Sequence, residues 1–213
     1  MQIISHRGYW QVPDEKNKSI SFQRSFGLEL GTETDIRDYL GEIVISHDIA
    51  DATAITLQDM FTIYNESVKK PILALNIKSD GLQQKLKIAL QQFEIKNYFV
   101  FDMSVPDTLG YIAEGIDFFS RQSEFEPKPV FYKECKGVWL DAFMADWYDT
   151  QIIIDHLRNK KKVAIVSSDL HKRDVMPMWE RLKKDEIHKM DGVVLCTDVP
   201  EYALNYFNLT YEN

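Results

Sequence analysis

Short apolar, β-branched runs recur along this chain with amphipathic stretches between them, and that alternation narrows the available folds more than any other feature. The runs fall at 2–5, 32–36, 43–46, 72–77, 98–101, 117–120, 137–140, 162–166 and 192–196. Ile20, Phe22, Phe26 and Leu30 take helical spacing in 19–30, as do Leu82, Leu86, Ala89, Leu90 and Phe93 in 82–93. Helices are also expected over 56–64, 107–113, 149–158, 176–184 and 200–207. Strands alternating with helices predict parallel βαβ units in an α/β protein. With 43–46 read as a short hairpin partner of the second strand, eight strands remain, the number a (β/α)8 TIM barrel requires. At 213 residues the chain is shorter than the roughly 250 usual for that fold, so its helices and loops must be lean. Residues 122–136 show no helical pattern and read as an irregular connection. A doubly wound open sheet is the alternative.

The length and a 45% hydrophobic content suffice for one core, so 1–213 is expected to form a single domain. A net charge of −8 argues against a nucleic-acid partner, because phosphate backbones are gripped by clustered Lys and Arg. The one basic run, Asn159-Lys160-Lys161-Lys162, is expected to end a helix, where cations suit the macrodipole. Cys135 and Cys196 have no pairing rhythm and read as reduced core thiols of a cytoplasmic protein. The first residues already read as a strand, which leaves no room for a signal segment, and no apolar run approaches the ~20 residues of a membrane span. On this reading there is no membrane anchor, and the Asn208-Leu209-Thr210 sequon is a chance match.

In a parallel barrel the reactive groups stand at strand ends, and here nearly every candidate closes an apolar run. His6-Arg7-Gly8 follows the first strand, Glu33 and Asp35 lie on the second, and His47-Asp48 follows the hairpin strand. Asn76 and Lys78 close the run at 72–77, Asp102 ends Phe99-Val100-Phe101, and Asp141 ends Val138-Trp139-Leu140. Arg121 and Glu124 follow Phe118-Phe119-Ser120. Strand alternation points Glu33 and Asp35 to one face and Thr34 and Ile36 to the other. Two carboxylates in one small space repel unless one is protonated or a cation lies between them, and hard cations such as Mg²⁺ and Ca²⁺ prefer carboxylate oxygens. Taken alone, Glu33-x-Asp35 also suits a solvated edge strand.

In this order, His6-Arg7-Gly8, Glu33-x-Asp35 and His47-Asp48 resemble the HRG, ExD and HD signature of glycerophosphodiester phosphodiesterases, a TIM-barrel family related to phosphatidylinositol-specific phospholipase C. The resemblance extends along the chain. Asn17 and Phe22 match the family's Glu-Asn-Thr-Leu and Phe helix start, Asn76-Ile77-Lys78 its Glu-Ile-Lys strand, and Cys196-Thr197-Asp198-Val199-Pro200 its closing Thr-Asp-x-Pro. Asn76 departs from the family's third metal-binding glutamate, and Lys16 and Lys18 replace the acid and threonine around Asn17.

The resemblance implies a metal-dependent phosphoric diester hydrolase of lipid metabolism, with His6 and His47 as general acid and base. A divalent ion, Mg²⁺ or Ca²⁺, is expected on Glu33, Asp35 and the Asn76 carbonyl, with Asp102 or Asp141 able to supply the missing carboxylate. Arg7 has the planar fork that grips non-bridging oxygens, and Lys78 adds a point charge. Arg121 and Trp139 are further candidates for substrate contact, Trp139 also suiting the core. For Arg7 the structural alternative is an ion pair with Glu33 or Asp35; for Lys78 it is a solvated strand end. His156, His171 and His188 show no acidic partner pattern and are expected at the surface. The expected partner is a small phosphodiester. Alternatives are a weak or inactive barrel that binds a phosphorylated ligand, and an enzyme of the same fold acting on a sugar-linked phosphate ester.

Overall fold

Buried β-branched and aromatic runs form strands because both of their faces are covered, and in the computed structural model, which describes residues 1–209, the strands fall at or near those runs, apart from a two-residue strand at Ile55–Thr56 that none of them covers. Thr210 of the sequon lies outside the described residues. The chain divides into two compact units, one of Ser5–Phe118 and one of Met1–Ile4 with Phe119–Asn213.

The first unit takes the end of β1 (Gln2–His6), then α1 (Ser19–Gly27), β2 (Gly31–Tyr39), β3 (Glu42–Ile45), β4 (Ile55–Thr56), α2 (Leu57–Glu66), β5 (Leu73–Ile77), α3 (Gln83–Gln92), β6 (Tyr98–Phe101) and α4 (Val105–Glu114). β2 pairs in parallel with β5 from Thr32 to Ile36, and β5 with β6. From Ile36 to Tyr39, β2 pairs antiparallel with β3, which β4 extends. The strand therefore forks just past Asp35, and Ser46 N donates to the Asp35 carbonyl at 3.0 Å to hold the hairpin end there. Ser104 caps α4, and Thr56 with Asp59 forms a capping box on α2. Phe26 packs edge-on to Tyr64 at 5.3 Å, joining α1 to α2 behind the sheet.

The second unit holds β7 (Phe119–Gln122), β8 (Gly137–Leu140), α5 (Thr150–Arg158), β9 (Lys162–Val166), α6 (Met176–Lys184), β10 (Val193–Thr197) and α7 (Pro200–Phe207). Its strands run parallel in the order β7-β8-β9-β10. Fully buried Trp179 anchors it, its Nε1 donating to Ser167 Oγ at 2.9 Å. Cys135 and Cys196 are buried free thiols, and residues 123–136 form no strand or α-helix. No helix among the described residues is long and apolar enough to cross a membrane.

Three local expectations are corrected. Arg121 lies within β7, in register with Trp139, because the ladder continues to Gln122. The lysine run lies in the turn after α5, and Lys162 opens β9. His156 and His188 are buried: His156 bonds to Gln122 Oε1 at 2.7 Å and Tyr132 Oη at 2.8 Å, and His188 Nδ1 faces the Leu182 carbonyl at 3.4 Å. His171 has an acidic partner in Asp141, 2.7 Å away. Residues distant in sequence supply the partners of His156 and His171, so local spacing carries no trace of them.

Candidate functional site

Glycine is required where the first strand turns into the loop that carries Arg7. Gly8 has φ +80°, and a Cβ there would lie 2.7 Å from Ser21 Cβ. Its N–H donates to Thr32 Oγ1 at 3.0 Å, while Arg7 N donates to the Glu33 carbonyl at 2.9 Å and to Glu33 Oε2 at 3.2 Å. Arg7 itself has φ +59°, and its carbonyl accepts from Asn17 N at 2.9 Å and Ser21 Oγ at 3.2 Å. The turn thus lays its backbone along β2 and sends the Arg7 guanidinium toward Asp35.

Glu33 and Asp35 are both buried, each 1% exposed. Buried charge is tolerated only when compensated. Asp35 Oδ2 meets Arg7 Nε at 3.0 Å and accepts from Asn17 Nδ2 at 2.8 Å, and Asp35 Oδ1 faces Lys78 Nζ at 3.4 Å. The ion pair given as the structural alternative for Arg7 is therefore present, and Lys78 pairs with the same carboxylate. Glu33 Oε2 lies 3.9 Å from His6 Nε2. Burial first, then the neighbouring Asp35 charge, pushes the Glu33 carboxyl up to about 7 against the pull of His6, Lys78 and Arg7.

Asn76 stands beside Asp35 in the β2–β5 register. Its Oδ1 is buried with no hydrogen-bond partner, and Asp35 Oδ1 likewise accepts no hydrogen bond. Asp35 Oδ1 is taken up by the Lys78 ion pair, which leaves Asn76 Oδ1 as the open oxygen beside Asp35 in the ladder, an acceptor of the kind hard cations take. Among the described residues, no three His, Cys, Asp or Glu side chains gather in a group that could hold a metal. Asp102 follows β6 with φ +66°.

His47 follows β3, its side chain 43% exposed, with Nδ1 2.8 Å from Asp48 Oδ1 and its carbonyl accepting from Arg37 Nη1 at 3.2 Å. A cavity of 280 Å³ opens there, lined by Arg7, Lys16, Asn17, Lys18, His47 and Asp48 among others. Lys16 Nζ lies 4.3 Å over the Trp10 ring, while Glu15, the acid beside it, pairs with Arg24.

The remaining candidates belong to the second unit. Trp139 is buried in β8, and Arg121 Nε pairs with Glu126 at 2.6 Å. Asp141 Oδ1 meets His171 Nε2 at 2.7 Å and accepts from Ala142 N at 2.8 Å. Sequence spacing did not disclose how Asn17 is used: Thr34 Oγ1 donates to Asn17 Oδ1 at 2.8 Å, which turns the amide N–H₂ toward Asp35.

No family model matches the chain, and no curated protein matches it in sequence. Solved structures do match in shape. A glycerophosphodiester phosphodiesterase from Agrobacterium tumefaciens superposes with TM-score 0.69 at 13% identity, over 99% of this chain and all of that one. A glycerophosphoryl diester phosphodiesterase from Parabacteroides distasonis gives TM-score 0.65 at 12% identity, covering 97% of this chain and 86% of its own. At these identities the likeness is one of fold: the chain folds as those two proteins do.

Proposed function

We propose that this chain is a phosphoric diester hydrolase acting on glycerophosphodiesters, releasing an alcohol and glycerol phosphate. The observation that carries the reading is the cluster in the first unit, where buried Glu33 and Asp35 are met by His6 and Arg7 from the end of β1 and by Asn76 and Lys78 from the end of β5. The shared fold with two phosphodiesterases supports it.

Arg7 and Lys78, held on one wall by Asp35, present positive charge to the non-bridging oxygens of a phosphodiester. His6 and His47 act as the proton-transfer pair, one taking the proton of the attacking group, water or a neighbouring substrate hydroxyl whose cyclic phosphate water then opens, and the other giving one to the leaving alcohol. Asp48 orients the His47 ring through Nδ1. Glu33, Asp35 and the Asn76 carbonyl oxygen would hold Mg²⁺ or Ca²⁺, which when bound neutralises phosphate charge and lowers the pKa of a coordinated hydroxyl or water.

The test is release of alcohol from a panel of glycerophosphodiesters with Mg²⁺, with Ca²⁺ and with chelator. Metal-dependent release is the expected result; no release from any diester overturns the proposal. A second reading, a barrel that binds a phosphorylated ligand without turnover, draws on the neutral Asn76 and on the ion pairs that already engage Asp35. Binding of glycerol phosphate without hydrolysis of any diester would select it.

A further inference from the structure

We propose that the cavity beside Arg7 binds a second anionic group, so that the preferred diester carries a further phosphate on one of its two alcohols, a substrate class that rests on the hydrolase reading for the diester itself. The cavity, of 280 Å³, lies within the first unit: the loop from Arg7 to Lys18 forms one wall and the chain from the end of β3 the other. Arg7, Lys16 and Lys18 bring cations to it, and Asp48 and Asp51 bring carboxylates. Both carboxylates are spent nearby. The Asp48 side chain, 93% exposed, bonds to His47, and Asp51 Oδ1 closes its own turn by accepting from Thr53 N at 2.8 Å and Thr53 Oγ1 at 2.7 Å. They stand in water, where their charge is screened. The lysines are half-buried. Lys16 Nζ rests over the Trp10 ring at 4.3 Å and Lys18 Nζ donates to the Thr53 carbonyl at 3.4 Å, so both ammonium groups are held against the protein by uncharged partners.

Local stability does not account for these lysines. Lys18 is the N-cap of α1, a position that favours Ser, Thr, Asp and Asn, whose oxygens accept from first-turn N–H groups. Its side chain makes no capping bond, and the first turn of α1 holds no acidic residue. A cation there adds to the positive end of the helix dipole, and Lys16, two residues away, has the same sign. Local rules are broken in this way at functional positions. A phosphomonoester in the cavity would relieve the repulsion, since it brings a charge of about −1.5 to −2 and three acceptor oxygens, where a carboxylate brings a single charge. Arg7 belongs both to this cavity and to the acidic cluster, so a diester held on Arg7 extends into the cavity within one unit of the fold.

Hydrolysis of a matched pair tests this: glycerophosphoinositol and glycerophosphoinositol 4-phosphate, which differ by one phosphomonoester. The wild type is expected to favour the phosphorylated diester about tenfold in kcat/KM, partly exposed ion pairs being worth up to about fivefold for each lysine. Added salt should shrink that preference. Lys16→Gln combined with Lys18→Gln is expected to bring the ratio of the two diesters near one, while Lys16→Arg with Lys18→Arg, which keep both charges, retains most of it. A ratio near one in the wild type overturns the proposal. So does a preference that survives the glutamine substitutions, including one that survives an equal loss of rate on both diesters. Calorimetric titration of the same two compounds keeps the readings apart. Tighter binding of the phosphorylated one, lost in the glutamine variant, with neither compound hydrolysed, sustains the cavity site while the hydrolase reading falls; hydrolysis of both without preference does the reverse. Failure of either compound to bind or react overturns the site.

Discussion

Asn17 donates its side-chain amide to Asp35 across 2.8 Å while its carbonyl oxygen accepts from Thr34, so one loop residue binds two neighbours that point to opposite faces of β2. It does so from the left-handed backbone region, at φ +58°, with its own N–H on the Arg7 carbonyl. The loop is thereby tied to the acidic pair.

Removing that tie should be felt in stability. Asn17→Ala strips a donor from buried Asp35 and a partner from Thr34, and is expected to cost ~1–3 kcal/mol, the usual result of leaving a buried polar group unsatisfied. Urea unfolding of the metal-free protein measures it. A midpoint within error of wild type would mean that the loop is not anchored through this residue.

Gly8→Ala should destabilise more than a loop substitution normally does. A methyl group would press on Ser21 Cβ, and φ +80° is strained for any residue with a Cβ. A loss of at least ~1–3 kcal/mol is expected from the backbone strain alone. Because the same turn aims Arg7, phosphate affinity should fall with it; retention of both stability and affinity would be inconsistent with this turn.

The pH dependence follows from Glu33. Its folded-state pKa, raised to about 7, exceeds its unfolded value, so the folded form holds a proton that the unfolded form has released. Its contribution is fully present below the unfolded value near 4.5 and is lost as pH rises through about 7. At the ordinary worth of a pKa shift this is at most ~3 kcal/mol. Metal-free wild type should therefore lose stability between those values, and Glu33→Gln, which cannot ionise, should flatten that part of the curve. Equal slopes for the two proteins would refute the assignment.

Metal should compete with that proton. Millimolar Mg²⁺ or Ca²⁺ with glycerol phosphate present is expected to raise the melting temperature through preferential binding to the folded state, more at pH 8 than at pH 6. Glu33→Gln should blunt the shift. A rise that does not depend on pH would separate the ion from Glu33.

For catalysis, His6→Ala and His47→Ala are each expected to lower turnover by ~10² to 10⁴, the usual worth of a positioned acid or base. Melting curves should barely move for His47, whose side chain is nearly half exposed. Single-turnover rates on the best diester substrate check the pair, and a variant at wild-type rate removes its histidine from the mechanism.

The sequence by itself determined the order of strands and helices and the positions of the polar residues that close the strands. Period-two and helical apolar patterns are local consequences of burial, readable wherever an element covers its own faces. That same periodicity sends Glu33 and Asp35 to one side of β2, and the order of His6-Arg7-Gly8, Glu33-x-Asp35 and His47-Asp48 marks the candidate site. Tertiary structure alone decided what those residues touch. The register that sets Asn76 beside Asp35, the Thr34 hydroxyl that orients Asn17, and the His171–Asp141 pair each join residues at least 17 positions apart. Their partners are chosen by how the chain packs, and spacing along a sequence records only neighbours within one element. Glu33's raised pKa belongs to the same class, since burial from every side, with Asp35 close by, produces it.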